Sequence, residues 1–273
     1  MKKGKDYIVF ALDVTSADEA EKYVNILNGK VGMFKIGLEL FIQTGPDIIR
    51  RIKDLSDAGI FLDLKFHDIS ETVKRVMERA AELGVDLVTV HCSSSQKMLE
   101  MAVKGGDGVG VLGVTVLTDH DASVIEASGF KDIYVDDIKA LVIKRAQMAY
   151  DAGCCGVVCS GLEVELIKSR FGKDFMAVTP GIRPAWLLTT NKLQEHNANI
   201  GELNYDKINY NQKQIVDDQK RITTPAMAVK AGADLIVVGR PIKTAADPAL
   251  AAEEIAYEID QEIEKITKKL EEV

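Results

Sequence analysis

Short apolar or β-branched runs recur along this chain, the first of them starting about 25 residues apart, and most of the gaps between them have helical, amphipathic periodicity. The runs are Ile8–Leu12, Met33–Leu38, Ile60–Leu64, Leu87–His91, Val109–Leu117, Gly156–Cys159, Phe175–Thr179 and Leu235–Gly239. The intervening helical stretches include Ala17–Leu27, Asp47–Ala58, Thr72–Leu83, Ser95–Lys104 and Asp137–Ala152. Several end in a glycine-containing turn, at Gly29, Gly59, Gly84 and Gly153. Neighbouring parallel strands need a crossover of a dozen or more residues, usually a helix. Eight such units predict an α/β protein of the closed (β/α)8 TIM-barrel class. A doubly wound open sheet is the alternative, but no GxGxxG opens a helix after the first strand. The 273 residues suit one barrel, so residues 1–273 are read as a single domain. A C-terminal helix over Pro248–Leu270 is expected to pack its apolar side on the barrel and turn Glu and Lys outward.

Composition narrows the ligand class. With 47% hydrophobic and 28% charged residues the chain has ordinary globular make-up, and its net charge of −8 argues against a general nucleic-acid binder. An anionic small molecule remains compatible, because a few cations focused in a cleft outweigh the global sign. Cys92, Cys154, Cys155 and Cys159 show no CxxC pair and read as buried thiols in a reducing compartment. The basic N-terminus is followed by a short apolar stretch that ends at Asp13, without a cleavage signal. No apolar run approaches the roughly 20 residues needed to span a bilayer. A cytoplasmic protein with no membrane partner is the expectation.

In a barrel, reactive groups gather at the C-terminal ends of the strands. Those ends are unusually polar here: Asp13 after the first, Lys35 in the second, Asp63 and Lys65 in the third, His91 in the fourth and Thr118 after the fifth. The seventh opens into Pro180-Gly181-Ile182-Arg183 and the eighth into Gly239-Arg240. The densest stretch is Phe61-Leu62-Asp63-Leu64-Lys65-Phe66-His67-Asp68-Ile69. On a strand Asp63 and Lys65 share one face, while Leu62 and Leu64 point toward the helices. Asp68 follows on the loop, and Lys35 can join from the neighbouring strand. Buried charges must be paired. An alternating Lys35, Asp63, Lys65, Asp68 array meets that need and keeps the lysines protonated and the aspartates ionised. A structural salt-bridge network at the rim is the competing explanation for these four.

The matching pieces then become specific. Ala11-Leu12-Asp13, Phe34-Lys35-Ile36-Gly37, Asp63-Leu64-Lys65-Phe66-His67-Asp68-Ile69, Thr179-Pro180-Gly181-Ile182-Arg183-Pro184, Asp217-Asp218-Gln219 and Val238-Gly239-Arg240-Pro241-Ile242, in this order, resemble the orotidine 5′-phosphate decarboxylase family along essentially the whole chain. The resemblance implies loss of CO2 from C6 of the pyrimidine of orotidine 5′-monophosphate to give UMP, with no metal and no organic cofactor. It implies that Lys65 protonates C6, that Asp63 sits by the departing carboxylate, and that Lys35 orients Asp63 and contacts the ribose. Asp68 is expected to enter the neighbouring subunit's site, with Ile69 packing on the base and Thr72 touching ribose hydroxyls. A homodimer with shared sites follows. Asp13 would bind a ribose hydroxyl and Thr118 the pyrimidine edge.

The phosphate needs cations and backbone N–H donors. The same resemblance assigns it to Arg240 and Gly239, to Gln219, and to the loop that Pro180 and Arg183 begin. His67 and His91 read as satisfied strand-end histidines, His120 and His196 as loop residues, and no residue set has metal-ligand spacing.

One stretch departs from the family pattern. Its members pass from the GIRP segment to the glutamine in roughly ten residues, whereas Arg183 and Gln219 are 36 apart here. The polar segment, about 187–216, contains six asparagines and reads either as a surface insertion or as a lid extension or oligomer contact. Two rival functions compete with decarboxylation. Related barrels acting on sugar phosphates bind magnesium through an acidic residue on strand two, where this chain has Lys35. A catalytically silent nucleotide sensor has no need of two lysines and two aspartates together.

Overall fold

The computed structural model describes residues 2–187 and 221–271. Eight parallel strands close into a barrel in sequence order, β1 pairing with both β2 and β8. They are β1 Ile8–Ala11, β2 Met33–Gly37, β3 Gly59–Phe66, β4 Leu87–His91, β5 Gly110–Val114, β6 Gly156–Val158, β7 Met176–Thr179 and β8 Leu235–Val238. The helices are α1 Ala17–Leu27, α2 Leu38–Thr44, α3 Asp47–Lys53, α4 Ser70–Glu82, α5 Gln96–Gly105, α6 Ala122–Ala127, α7 Asp132–Asp136, α8 Ile138–Asp151, α9 Val164–Phe171, α10 Pro225–Lys230, α11 Arg240–Lys243 and α12 Pro248–Glu271. The (β/α)8 expectation therefore holds.

Two cores follow from strand alternation. Val9, Phe61, Leu87, Leu112, Val178 and Leu235 fill the barrel interior, with Met33 and Val158 against them. The intervening positions, such as Ile8, Phe10, Ile60 and Leu62, point outward into the larger layer shared with the helices. The inward parity that places Val9, Met33, Phe61 and Leu87 in the plug carries Ala11, Lys35, Asp63 and Thr89 to the layer above it. Side-chain caps start several helices: Ser16 accepts from the Glu19 amide and Ser95 from the Met98 amide, both at 3.2 Å. Helix α12 buries Ala251, Ala252, Ile255 and Ile259, as its amphipathic pattern anticipates.

Several elements differ from the sequence reading. The apolar run Val109–Leu117 is strand only to Val114; beyond it Thr115 bonds back to Val158 O, and the Val116 and Leu117 carbonyls accept from Arg221 rather than from a ladder. The stretch Asp47–Ala58 ends its helix at Lys53, and a separate α2 precedes it, the two divided by Gly45 at φ 69° and Pro46. Gly59 does not end a helix but opens β3, whereas Gly29, Gly84 and Gly153 do occupy left-handed turns. The short helices α6 and α7 fall where no element was read.

Candidate active site

A cavity of about 410 Å³ opens at the C-terminal end of the strands. Asp13, Lys35, Asp63, Lys65, Thr118, Pro180, Arg183, Gly239 and Arg240, all anticipated from sequence, line it. Eight strands contribute neighbouring loops to one mouth, which is how residues far apart in sequence converge.

The charged layer lies directly above the apolar plug. The Lys35 ammonium lies 3.1 Å from Asp13 Oδ1 and 3.6 Å from Asp63 Oδ2, and the Lys65 ammonium lies 2.9 Å from the same Asp63 oxygen. Within one chain the alternation is thus Asp13, Lys35, Asp63, Lys65. Lys35 is 8% exposed, so its charge rests on these two carboxylates. Asp63 balances opposing effects. Burial pushes its carboxyl up, but Lys35, Lys65 and hydrogen bonds from Lys65 and Thr89 outweigh that and hold it below the usual carboxylate range.

Simple alternation does not explain how Lys65 reaches this layer. Leu62 pairs with Val88 but Phe66 with Val90, so β3 carries a bulge between them. Lys65 sits at φ 51°, the one non-glycine left-handed residue among those described. Its amide donates to Thr89 Oγ1 at 2.9 Å, and the Thr89 hydroxyl donates to Asp63 Oδ1 at 2.9 Å. Thr89 is fully buried. Sequence reading passed over it, although its parity with Leu87 in Leu87-Val88-Thr89-Val90-His91 puts a hydroxyl on the inward face.

Three further expected residues, Asp68, Ile69 and Thr72, do not line this cavity. Asp68 and Ile69 are exposed on the loop after β3, with Asp68 Oδ1 accepting from the Ile69 amide at 2.6 Å and Ile69 72% exposed. Thr72 lies in the first turn of α4. None of the three lines the cavity of its own chain. Gln219, with Asp217, Asp218 and positions 188–216 of the proposed insertion, lies outside the described residues.

Arg183 is buried and donates to Ile182 O, and the loop it belongs to begins with Gly181 at φ 76°, a conformation that favours glycine. That loop is tied to the chain returning from residue 220: Arg183 N donates to Thr223 O and Thr223 N to Gly181 O. Arg240 opens α11 directly after Gly239.

The two strand-end histidines, His67 and His91, do not line the cavity. His67 and His91 have ring centroids 5.6 Å apart, and burial, with His67 and Lys65 nearby, pushes His91 down. Burial pushes all four cysteine thiols up, Cys155 to about 11. Among the described residues no three His, Cys, Asp or Glu side chains are grouped to hold a metal ion, and no helix is long and apolar enough to cross a membrane.

Comparison with known proteins shows the family and the fold. The model of the orotidine 5′-phosphate decarboxylase / HUMPS family matches residues 6–255. A protein of Desulfosudis oleivorans named orotidine 5′-phosphate decarboxylase is 49% identical over 259 residues, 94% of each chain. One of Trichlorobacter lovleyi with the same name is 39% identical over 265 residues, 94% of this chain and 96% of that one. Among solved structures, the orotidine 5′-phosphate decarboxylase of Lactobacillus acidophilus superposes with a TM-score of 0.73 at 31% identity, covering 93% of this chain and 98% of that one.

Proposed function

The chain belongs to the orotidine 5′-phosphate decarboxylase / HUMPS family, and we propose that the cavity above its barrel removes CO2 from orotidine 5′-monophosphate with Lys65 as proton donor. The protein is a carboxy-lyase of pyrimidine biosynthesis, and its product is UMP. The observation that carries the residue assignment is the seat of Asp63: one oxygen lies between the Lys35 and Lys65 ammoniums, above a buried apolar plug.

The substrate carboxylate at C6 would be bound beside Asp63, an ionised group that repels it. When the C6–carboxylate bond breaks, the electron pair stays on C6 and CO2 departs, so the repulsion is relieved as negative charge moves toward Lys65. Lys65 then gives a proton to C6 and regains one from solvent. Charge placed in advance where charge develops needs no reorganisation during the reaction. Asp63 remains ionised throughout because Lys35 holds it from the other side. Lys35 and Asp13 would hold the ribose hydroxyls. Thr118 would meet the pyrimidine edge, and Arg183, Arg240, Gly239 and Pro180 the phosphate end, with Gln219.

Asp68, Ile69 and Thr72 complete the proposal across a homodimer. Their place outside their own chain's cavity, on an exposed loop and helix start, supports a role in a neighbouring one. Asp68 would extend the alternation to Lys35, Asp63, Lys65, Asp68. A cytoplasmic setting belongs to the same reading.

Lys35 at the strand-two position is the reason to expect no catalytic metal, because an ammonium there repels a divalent cation. Incubating the protein with orotidine 5′-monophosphate, with and without EDTA, tests this through the loss of substrate ultraviolet absorbance. Chelator-insensitive turnover is expected. Turnover that requires an added divalent metal would contradict it.

A further inference from the structure

We infer that Arg221 and Glu163 form a buried brace that sets the base-facing and phosphate-facing loops relative to each other, which makes both positioning residues for the reaction. The inference rests on the assignment of Thr118 to the base and of Arg183 to the phosphate. Neither brace residue lines the cavity.

The guanidinium of Arg221 ties several chain segments together. Its Nη1 pairs with Glu163 Oε1. Its Nη2 donates to the carbonyls of Val116 and Leu117, each at 3.2 Å, immediately before Thr118. Glu163 uses its second oxygen to accept from the Ser160 amide at 2.8 Å, next to Cys159 of the cavity wall. Arg221 lies two residues before Thr223, whose backbone is bonded to Gly181 and Arg183. One ion pair therefore joins the loops after β5, β6 and β7.

Burial argues that position, not net stability, is what the pair supplies. The side chains of Glu163 and Arg221 are only 2% and 13% exposed. Desolvating two such charges offsets most of their attraction, so well-packed apolar substitutes are often as stable or more so. Only a planar fork with several donors reaches a carboxylate and two carbonyls at once; a lysine ammonium does not. The carbonyls it takes are those that ended β5 earlier than its apolar run suggests, so the brace is also what turns Thr118 off the sheet line.

The test replaces the pair together, Glu163→Leu with Arg221→Met, and separately makes Arg221→Lys. The double variant is expected to melt no lower than the parent, yet to lose at least about tenfold in kcat/KM, mostly through KM. Arg221→Lys should lose about fivefold or more. A double variant within about twofold of the parent in kcat/KM would overturn the inference. Should the double variant fail to fold, Arg221→Lys decides by the same criterion. If the parent itself shows no turnover, the decarboxylase reading falls instead, and the affinities of parent and variants for UMP still decide the brace.

Discussion

The Lys65 ammonium stands 2.9 Å from Asp63 Oδ2 although the Lys65 backbone is left-handed, at φ 51°. A non-glycine residue held there costs on the order of 1–3 kcal/mol. Two interactions hold it: the ion pair itself and the bond from its amide to Thr89. The strained residue is also the one assigned to proton transfer, so the bulge in β3 is part of how the donor is aimed. Its position on a strand, with a locked partner on the next, suits a group that must be placed to a fraction of an ångström.

Thr89 is accordingly expected to matter more than a buried hydroxyl usually does. Thr89→Val keeps the shape but leaves the Lys65 amide without its acceptor and Asp63 without one donor. Destabilisation of about 1–3 kcal/mol is expected in a urea titration. Steady-state kinetics should show kcat falling about tenfold with a smaller change in KM. A wild-type kcat would detach the bulge from catalysis.

Asp63 sets an acid limb. Its folded carboxyl titrates below the ordinary range because Lys35 and Lys65 outweigh its burial. A depressed acid contributes stability that is full above about pH 5 and lost as pH falls from the unfolded value of about 3.9 through the lower folded one. The difference in unfolding free energy between parent and Asp63→Asn should therefore stay level from about pH 5 to 7 and then change as pH falls below about 4. A difference independent of pH throughout would mean that Asp63 is not held as the anion.

Glu258 on α12 has the opposite sign. Burial pushes its carboxyl up to about 7, against the Ala226 and Ala185 amides that donate to it. Between the unfolded value of about 4.3 and the folded value, the folded chain keeps a proton that the unfolded chain has released. Stability from this group thus falls as pH rises through that window. Glu258→Gln, which cannot ionise, should gain on the parent between about pH 5 and 7.5 in urea midpoints. A gap that does not change over that range would remove the titration.

The proposed sharing of sites between subunits makes a complementation experiment decisive. Lys65→Ala and Asp68→Ala should each be nearly inactive alone. After mixing and re-forming dimers, half the dimers carry one intact site, so activity should return to about a quarter of the parent's. No recovery in dimers shown to have exchanged would confine Asp68 to its own chain.

Much of this was legible in sequence, for physical reasons. Strand and helix periods are strong signals, and Lys35 and Asp63 stand where alternation aims them into the barrel mouth. What was not legible depends on tertiary bonds. The end of β5 is decided by Arg221, more than 100 residues away, taking its carbonyls. The bulge at Lys65 is invisible to a period-two pattern, because the apolar residues around it keep their order. Thr89 looked like any strand threonine until Asp63 was found against it.

The most direct test of Lys65 as proton donor is Lys65→Ala, compared with the parent for turnover of orotidine 5′-monophosphate and for affinity toward UMP. Turnover is expected to fall at least about a thousandfold, with UMP affinity changed by less than about tenfold. Retention of turnover within about tenfold of the parent would contradict the role given to Lys65.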